Sequence, residues 1–416
     1  MSIYMPVIKR SEAKEIDEYK GWIILYGRRK VGKTFLLKNF VSWDYFYTVT
    51  RGLKVVKEER NSGKYTVMNT DAAIKDIVFS LKSGYKTIVD EFQRLPEHSW
   101  DILATAHPDG KLILSGSSRR VVEKILGARS PLLGLLAPYR LDLIKPCDAV
   151  VSLVKTGLSP EKAIEWAVIL RDPWVIPHLD IRKDPSYELA QKIHFLVGAV
   201  IGLIGEVFTE EERRMTRLYE AIIRRIASGN WKLSELANSL FSLNLIEKGI
   251  PSQVTPYLDR LVKMGIIERI KTFKSRWKTI YKVRSPIMSI LLKIDEEDFI
   301  YENIQYNAEK IEEKIRSILG IELQFFIGEL LSQTEKKKPL YQPHDEIDII
   351  LSNKRKTVIE VKRRPVTQAD IQHLREKAAK IGIWDIAIVT LRGEKTSEKI
   401  ITPYKLVEKC LNQTIQ

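Results

Sequence analysis

A short segment near the N-terminus has the residue types and the spacing that bind nucleotide phosphates. Its sequence is Gly27-x-x-x-x-Gly32-Lys33-Thr34, which is the pattern of a P-loop. Glycines let backbone N–H groups turn toward phosphate oxygens, and a helix that begins here adds the positive end of its dipole. We expect Lys33 to reach the β- and γ-phosphates and the Thr34 hydroxyl to bind Mg²⁺. The predicted ATP-binding residues of this segment are Gly27, Arg28, Arg29, Lys30, Val31, Gly32, Lys33, Thr34 and Phe35.

Two carboxylates further along the chain could complete this chemistry. Asp90 and Glu91 follow an apolar run, as residues at the end of a buried strand do. We expect Asp90 to hold Mg²⁺ and Glu91 to polarise the water that attacks the γ-phosphate. A basic glycine turn and an ordinary strand end are the alternatives for the two segments taken separately. Because both occur in one chain, Lys33 and Glu91 are the predicted catalytic residues of an ATPase.

The elements around these residues are predicted to form an α/β core. Apolar residues 22–26 lead into the P-loop as a buried parallel strand would, and residues 35–40 continue with helical spacing. Aromatic and β-branched residues predict a second strand over 43–50. A further apolar strand begins at Lys111 and ends in hydroxyl side chains, and another strand is expected near 139–144.

A second set of charged residues lies in the last third of the chain. Residues 346–351 and 357–362 are predicted strands, and a loop of three or five residues between them would set Asp348 opposite Glu360. Because side chains alternate along a strand, Lys362 would share the face of Glu360. On this face Asp348 and Glu360 could hold Mg²⁺ or Mn²⁺ while Lys362 orients or deprotonates water for phosphodiester cleavage. Further candidate side chains on neighbouring helices are Glu329, Gln368 and Gln372.

Between these regions the pattern changes to three short helices and two strand-like runs. The predicted helices span 218–227, 232–240 and 251–264, and the predicted strands span 266–270 and 279–283. Such an order predicts a winged helix–turn–helix. Residues 271–284 include six basic side chains and no acidic one, which suits contact with DNA phosphates. The predicted DNA contacts are Gln253, Lys271, Lys274, Arg276 and Lys278, and Lys282 and Arg284 complete the basic set.

The whole chain limits the classes of function. Its 416 residues, 44% hydrophobic and 29% charged, suit a globular protein of several domains. A formal charge of +15 favours a polyanionic partner, nucleic acid before membrane. Cys147 and Cys410 match no metal or redox spacing, so a reducing cytoplasm is expected. The most apolar stretch, 195–207, contains Glu206 and is too short to cross a bilayer, which predicts a buried helix and no membrane partner.

Four segments together resemble one family. The P-loop, residues 89–96, residues 114–118 and residues 130–134 are similar to those of archaeal AAA+ ATPases close to the STAND NTPases. In additional-strand P-loop ATPases, a polar residue after the strand that begins here at Lys111 contacts the γ-phosphate or the attacking water. The resemblance therefore implies a nucleotide-sensing role for Ser115, with Ser117 as the second candidate, although Ser-Gly-Ser also forms ordinary turns. Relatives often carry an arginine where this chain has Leu135, so candidates for an arginine finger are Arg119, Arg120 and Arg129.

The resemblance extends to the C-terminal region. The pattern of Asp348 followed by Glu360-x-Lys362 resembles that of the restriction-endonuclease-like fold, including archaeal Holliday-junction resolvases, and the same ATPase family often carries such a domain. The resemblance therefore implies an α/β protein of four domains. These are a P-loop AAA+ ATPase core at 1–146, a helical lid at 147–214, a winged helix–turn–helix at 215–298 and a restriction-endonuclease-like domain at 299–416.

Two functions remain open for this organisation. One is an ATP-dependent DNA-processing protein that uses ATP and Mg²⁺, or Mn²⁺ at the C-terminal site, and acts on DNA, including branched or junction DNA, as a monomer or an oligomer. The other is a STAND-like regulatory switch, in which the winged helix packs as an internal spacer and the last domain binds without cutting. A plain DNA-binding regulator with a vestigial ATPase is a third, weaker reading.

Overall fold

The computed structural model describes residues 5–60, 62–210, 216–273, 279–302, 305–342, 347–352, 355–393 and 399–414. The chain forms two compact units. The P-loop unit consists of residues 10–143 and 205–214, and the C-terminal unit consists of residues 1–9, 144–204 and 215–416. The domain boundaries expected at 146, 214 and 298 remain predictions, because three of the four predicted domains fall mostly within the C-terminal unit.

The P-loop unit contains a seven-stranded sheet with helices on both faces. Its strands are β1 (Trp22–Tyr26), β2 (Tyr45–Val49), β3 (Lys54–Glu59), β4 (Tyr65–Asn69), β5 (Lys86–Asp90), β6 (Lys111–Gly116) and β7 (Leu136–Arg140). Its helices are α1 (Glu12–Glu18), α2 (Lys33–Phe40), α3 (Thr70–Lys82), α4 (Ser99–Ala104) and α5 (Arg119–Ile125). The strand order is β4-β3-β2-β5-β6-β1-β7. Strands β2, β5, β6, β1 and β7 are parallel, whereas β3 and β4 pair antiparallel at one edge.

Both faces of this sheet are buried. In β1, Ile24 lies in one apolar cluster while Ile23 and Leu25 lie in another on the opposite face. This alternation explains why the strand is apolar throughout, because a parallel strand covered on both sides has no polar face. Strand β6 lies between β1 and β5, so the P-loop strand and the strand that ends at Asp90 are separated by one additional strand.

The C-terminal unit begins with helices and continues with alternating helices and strands. Its helices are α6 (Pro146–Val154), α7 (Pro160–Leu170), α8 (Pro185–Glu210, which extends into the P-loop unit), α9 (Arg217–Ala227), α10 (Leu233–Ser242), α11 (Pro251–Met264), α12 (Pro286–Asp298), α13 (Ala308–Glu335), α14 (Gln368–Lys380) and α15 (Pro403–Thr414). Its strands are β8 (Ile267–Lys271), β9 (Thr279–Val283), β10 (Lys338–Gln342), β11 (Ile347–Ser352), β12 (Lys356–Lys362), β13 (Asp385–Thr390) and β14 (Ile400–Ile401).

Helices α9, α10 and α11 precede the antiparallel hairpin of β8 and β9, at the positions expected from the sequence. Gly265 ends α11 with a φ of 73°, a left-handed conformation that glycine adopts at little cost. Beyond β8, Thr272 forms a parallel bridge with Tyr341, and the Phe273 N–H donates to the Tyr341 carbonyl at 3.1 Å. The hairpin is therefore joined to β10, which is an edge strand of the neighbouring sheet.

The second sheet has the order β10-β11-β12-β13-β14. Strands β10, β11 and β12 are antiparallel neighbours, whereas β13 and β14 continue the sheet in parallel. Residues of β11, β12 and α14 share an apolar cluster that also includes Phe273 from the end of the β8–β9 hairpin. Phe273 thus gives the hairpin and the second sheet a common core.

The two cysteines do not behave as the sequence suggested. Cys147 in α6 and Cys410 in α15 form a disulfide across 263 residues of sequence. Sequence spacing could not reveal this pair, because α6 and α15 meet only through packing in the C-terminal unit. Intracellular proteins of hyperthermophiles do contain disulfides, so the bond by itself decides no compartment, and the cytoplasmic location stays a prediction.

Helix α8 is longer than the apolar stretch predicted from the sequence. Residues 185–209 are long enough and apolar enough to cross a membrane by length and composition alone, and 44% of the most apolar window is buried. The prediction that residues 195–207 are too short to cross a bilayer was therefore wrong, because the apolar helix also includes Leu189, Ala190 and Ile193, all of which are buried. The absence of a membrane partner remains a prediction.

Candidate functional site

The P-loop connects β1 to α2 through a backbone that requires glycine. A Cβ atom on Gly27 would lie 2.0 Å from the carbonyl oxygen of Leu141, a distance that no side chain could tolerate. Gly32, at the N-terminus of α2, has a φ of 90°, and Lys30 has a φ of 64°. Left-handed backbone at a residue other than glycine is strained and occurs often at ligand-binding sites. The loop is thus built around specific glycines and points the start of α2 at the position where phosphates would bind.

Lys33 and Thr34 lie where the P-loop pattern requires them. The Lys33 ammonium donates to the carbonyl oxygens of Gly27 at 2.8 Å and Arg28 at 3.2 Å. The Thr34 hydroxyl donates to Asp90 Oδ2 at 2.6 Å. A hydroxyl and a carboxylate in direct contact are the two protein ligands that the nucleotide-bound Mg²⁺ of a P-loop ATPase uses. Thr34 and Asp90 are therefore suitably placed to hold that ion.

Ser115 lies between the P-loop strand and the strand that ends at Asp90. In the sheet register, Ser115 is the neighbour of Asp90 on one side and of Leu25 on the other. Its side chain is fully buried, and its hydroxyl has no hydrogen-bond partner in the described part of the chain. A buried polar group without a partner is costly unless a ligand or water satisfies it. The position suits the nucleotide-sensing role that the resemblance implied for Ser115.

Glu91 is held by two residues that the sequence analysis did not identify. It has a φ of 58°, in the left-handed region. Its Oε2 atom accepts a hydrogen bond from Gln93 Nε2 at 2.9 Å and lies 2.8 Å from a guanidinium nitrogen of Arg94. Both partners follow Glu91 closely, in a short 3-10 turn over Phe92–Arg94. Only this spacing in the sequence could have pointed to them.

The remaining predicted P-loop residues differ in their surroundings. Val31 is buried in the apolar cluster beneath the loop, so only its backbone could contact phosphate. The Arg29 guanidinium lies 2.6 Å from a carboxylate oxygen of Glu206. Phe35 is exposed on α2. These positions leave Arg29 and Phe35 as predicted rather than demonstrated nucleotide contacts.

In the C-terminal unit, Asp348 and Glu360 occupy neighbouring strands as expected. Ser352 pairs with Lys356 across a three-residue connection, and Ile349 pairs with Ile359. Continuing this register by one residue sets Asp348 opposite Glu360, and strand alternation puts Lys362 on the same face. The Lys362 ammonium lies 2.6 Å from Glu360 Oε1. The hairpin thus brings together all three predicted residues of this site.

The electrostatics of this face favour the protonated form of Asp348. Burial, with a contribution from the nearby Glu360 carboxylate, raises the pKa of Asp348 to about 6, although the Val361 N–H donates to its carboxylate at 2.7 Å. A fourth charged residue, Asp370 in α14, lies 3.9 Å from Lys362. Arg364 holds the pKa of Asp370 below its ordinary value. Within the described residues, no group of three or more His, Cys, Asp or Glu side chains could hold a metal ion.

Glu329 is not available as the further metal ligand that the sequence suggested. Its carboxylate lies 2.6 Å from Arg171 and 2.9 Å from Arg284. Burial alone would raise the pKa of Glu329, but the two guanidinium groups keep it below its ordinary value. Glu329 belongs to a buried charge cluster that joins α7, the β8–β9 hairpin and α13. That expectation was therefore wrong, because tertiary partners occupy the side chain.

The predicted DNA-contacting residues fall into three groups. Lys271 is exposed at the end of β8, and Gln253 lies on α11, where its side chain accepts from the Lys248 N–H at 3.0 Å. Lys274, Arg276 and Lys278 lie outside the described residues. Lys282 and Arg284 are not phosphate contacts in this structure: the Lys282 ammonium lies 2.5 Å from Glu322, and Arg284 pairs with Glu268 and Glu329. The basic set predicted from the sequence is thus partly internal.

One family model matches the chain. Residues 19–132 match the model described as AAA domain. This segment covers β1 to the residues before β7 and includes the P-loop, Asp90, Glu91 and Ser115. The match supports an AAA+ type of NTP-hydrolysing core in this part of the chain, with nucleotide and Mg²⁺ as the expected cofactors.

Comparison with individual proteins gives more distant similarity. A Methanocaldococcus jannaschii protein named "Uncharacterized protein MJECL04" is 23% identical over 390 residues, which cover 85% of each chain. The ORC2 protein of Aeropyrum pernix, solved as ADPNP–ADP complexes, aligns with a TM-score of 0.38 at 13% identity and covers 76% of this chain and 96% of its own. A STAND protein with a tetratricopeptide repeat sensor from Pyrococcus horikoshii aligns with a TM-score of 0.31 at 15% identity, covering 81% and 50%. The Aeropyrum pernix ORC1 protein in complex with DNA gives 0.30 at 12% identity, covering 71% and 94%. TM-scores below 0.5 do not establish a shared fold.

Proposed function

We propose that the P-loop unit binds and hydrolyses ATP. The observation that carries this proposal is the meeting of Thr34, Asp90 and Ser115 beside the P-loop, at the ends of β5 and β6 and at the start of α2. The buried hydroxyl of Ser115 has no hydrogen-bond partner in the described part of the chain, and a ligand or water at this position would satisfy it. The match of residues 19–132 to the AAA domain model supports the same conclusion.

Each residue has a distinct part in the proposed reaction. Lys33 binds the β- and γ-phosphates, and backbone N–H groups at the start of α2 bind the same phosphates. Thr34 and Asp90 hold Mg²⁺, which neutralises phosphate charge when it is bound. Glu91 accepts hydrogen bonding from the attacking water, and Ser115 contacts the water or the γ-phosphate. Arg29 and Phe35 complete the nucleotide pocket.

Two variants test this assignment. Lys33→Ala should lose ATP binding, measured by equilibrium binding of a fluorescent ATP analogue. Glu91→Gln should bind ATP like the wild type but hydrolyse it on the order of 10² to 10⁴ times more slowly, because it removes the general base. Lys20→Ala, at an exposed lysine of the same unit, is the control and should change neither property. Hydrolysis by Glu91→Gln at close to the wild-type rate would contradict the assigned role.

We further propose that ATP binding is coupled to DNA binding by the C-terminal unit. The support is the +15 charge of the chain and a three-helix and hairpin arrangement with the order of a winged helix. Gln253 on α11 and the exposed Lys271 are the proposed contacts, together with Lys274, Arg276 and Lys278 of the predicted wing. The alternative, an internal spacer in a STAND-like switch, would also suit this arrangement, because Phe273 shares the apolar cluster of the second sheet and Lys282 is paired with Glu322 on α13.

The salt dependence of DNA affinity separates these two roles. A wing that contacts phosphates should give an affinity that falls steeply with salt, and Lys271→Ala should reduce the slope by about 1. Fluorescence anisotropy with labelled linear and four-way-junction DNA, with and without ATP, measures the salt dependence of the affinity and its dependence on ATP. The control is Lys20→Ala. If no DNA binding were detected, the internal-spacer role would be favoured. If DNA bound with the same affinity with and without ATP, a DNA-binding regulator that is not coupled to ATP would be favoured.

A second candidate activity is metal-dependent phosphodiester cleavage by the C-terminal unit. The observation in its favour is the register that sets Asp348 opposite Glu360, with Lys362 on the same face. These two carboxylates could hold Mg²⁺ or Mn²⁺, which would supply an activated water when bound. Cleavage of linear and branched DNA should require the metal and should be lost in Asp348→Asn and Glu360→Gln, but not in the control Glu313→Gln. Metal-dependent cleavage that survives Glu360→Gln would remove this assignment.

A further inference from the structure

The side-chain amide of Gln93 contacts both Glu91 and Ser117. Gln93 Nε2 donates to Glu91 Oε2 at 2.9 Å and also lies 3.3 Å from the hydroxyl oxygen of Ser117. Ser117 follows β6 directly, two residues after Ser115. One side-chain amide therefore connects the carboxylate after β5 with the end of the neighbouring strand.

Glycine at position 116 makes room for this connection. A Cβ atom there would lie 2.4 Å from Gln93 Oε1 and 2.8 Å from a ring carbon of Phe92. The Gln93 side chain consequently passes directly over the backbone of β6. Its Oε1 atom is buried and has no hydrogen-bond partner in the described part of the chain. A buried amide oxygen without a hydrogen-bond partner destabilises the folded protein. A role for Gln93 at the site explains this arrangement more readily than packing does.

Arg94 reinforces the same orientation. Its guanidinium lies 2.8 Å from Glu91 Oε2 and also donates to the carbonyl oxygen of Val49, at the end of β2, at 2.7 Å. Gln93 and Arg94 thus approach one carboxylate oxygen from residues tied to β6 and β2, the two strands on either side of β5. In the described part of the chain both donors use Oε2, so Oε1 is the oxygen of Glu91 that could face a water molecule.

We propose that Gln93 is a positioning residue that orients the Glu91 carboxylate for ATP hydrolysis by bridging it to Ser117 across Gly116. This proposal rests on the proposed ATPase activity and names a residue that acts on it. Gln93 does not touch the nucleotide; it fixes the direction in which Glu91 presents Oε1. Arg94 is the second support, so the loss of Gln93 alone weakens the orientation without abolishing it.

The test compares substitutions that keep the packing of Gln93 with substitutions that do not. Gln93→Met is nearly the same size and retains the contact with Phe92 and Gly116 but removes both amide hydrogen bonds. We expect kcat for ATP hydrolysis to fall about tenfold, as a part of the contribution of a general base, while the affinity for ATP and the melting temperature stay close to those of the wild type. Ser117→Ala, which removes only the far end of the bridge, should lower kcat by a smaller factor. A matched control, Gln191→Met on the exposed face of α8, should not change kcat.

A double mutant separates positioning from a purely structural role. If Gln93 acts only through Glu91, then Gln93→Met should have no further effect on kcat in the Glu91→Gln background, since effects that share one group are not additive. The proposal would be overturned if Gln93→Met left kcat unchanged or weakened ATP binding as much as it lowered kcat. It would also be overturned if Gln93→Met lowered kcat by the same factor in the Glu91→Gln background as in the wild type. Failure of the proposed ATPase activity is distinguishable, because then the wild type itself would not hydrolyse ATP, or Glu91→Gln would hydrolyse it normally.

Discussion

Replacement of Lys282 by methionine would show whether the basic β8–β9 hairpin is an internal support or a free contact for DNA. Lys282 is only 2% exposed, and its ammonium lies 2.5 Å from Glu322 on α13 and 5.0 Å from the ring centre of Phe325. The side chain of Glu322 is 3% exposed. Removal of the lysine would leave a buried carboxylate without its cation. Breaking a buried pair in this way costs about 3–5 kcal/mol.

The matched double variant gives the opposite expectation. Lys282→Met with Glu322→Leu replaces both charges by apolar side chains of similar size, and such replacements are often neutral or stabilising. We therefore expect the double variant to recover most of the loss, so that the coupling energy of the cycle is on the order of 2 kcal/mol or more.

Denaturant unfolding followed by tryptophan fluorescence measures these differences. Trp231 packs edge-on against Phe325, with ring centres 5.6 Å apart, and reports on this part of the C-terminal unit. The control is Lys271→Met, at an exposed lysine of the same hairpin, which should change stability by no more than about 0.5 kcal/mol. If Lys282→Met lowered the free energy of unfolding by less than about 1 kcal/mol and also weakened DNA binding, the internal role would be refuted. Such a result would mean that Lys282 contacts DNA phosphate and is not needed to pair with Glu322.

Three further predictions concern other parts of the chain. Cys410→Ser removes the disulfide that closes a loop across 263 residues of sequence, and the chain-entropy model gives a loss of about 5–6 kcal/mol in the free energy of unfolding. The melting temperature of the C-terminal unit should fall, and a reductant should lower the melting temperature of the wild type but not that of the variant. Burial raises the pKa of Asp348 from 3.8 to about 6, so the native state holds the proton more tightly than the unfolded chain, and the free energy of unfolding should fall by about 2 kcal/mol as pH rises from 4 to 6. Asp348→Asn should remove that fall, and a variant with the wild-type pH dependence would contradict the prediction. In Gly27→Ala the new Cβ would meet the Leu141 carbonyl at 2.0 Å, so the affinity for ATP should fall by more than about tenfold. The control Gly52→Ala, in the same unit at a position where a Cβ would meet no atom within 4 Å, should retain the wild-type affinity.

Much of the P-loop unit could be predicted because its chemistry depends on local sequence. The P-loop and the Asp90–Glu91 pair are short segments, and apolar runs that precede them indicate buried strands. The hairpin of β3 and β4 was missed, although Val55, Val56 and Val67 favour strands, because charged residues interrupt its first strand. Gln93 and Arg94 were missed for a different reason: their roles depend on a bent 3-10 turn that returns both side chains to Glu91.

In the C-terminal unit, local pairing was predictable and distant pairing was not. The register that sets Asp348 opposite Glu360 follows from the length of one short connection. Nothing in the sequence near Glu329 indicates Arg171, which is 158 residues away, and nothing near Lys282 indicates Glu322. A basic residue in a strand has the same appearance in the sequence whether it faces phosphate or a buried carboxylate. Only the tertiary fold decides between those two uses.

The internal use of Lys282 and Arg284 changes how the two proposed roles of the C-terminal unit relate to each other. Because Phe273 shares a core with β11, β12 and α14, and Lys282 and Arg284 pair with α13, the hairpin cannot move away from the second sheet without exposing apolar surface and buried charge. A DNA molecule bound at Gln253 or Lys271 would therefore be bound by the same body that carries Asp348 and Glu360. For the proposed cleavage, the Asp348–Glu360 face would also have to accept a metal ion, whereas binding without cutting needs none. A direct measurement of Mn²⁺ binding by the wild type and by Asp348→Asn decides that point independently of any nuclease assay.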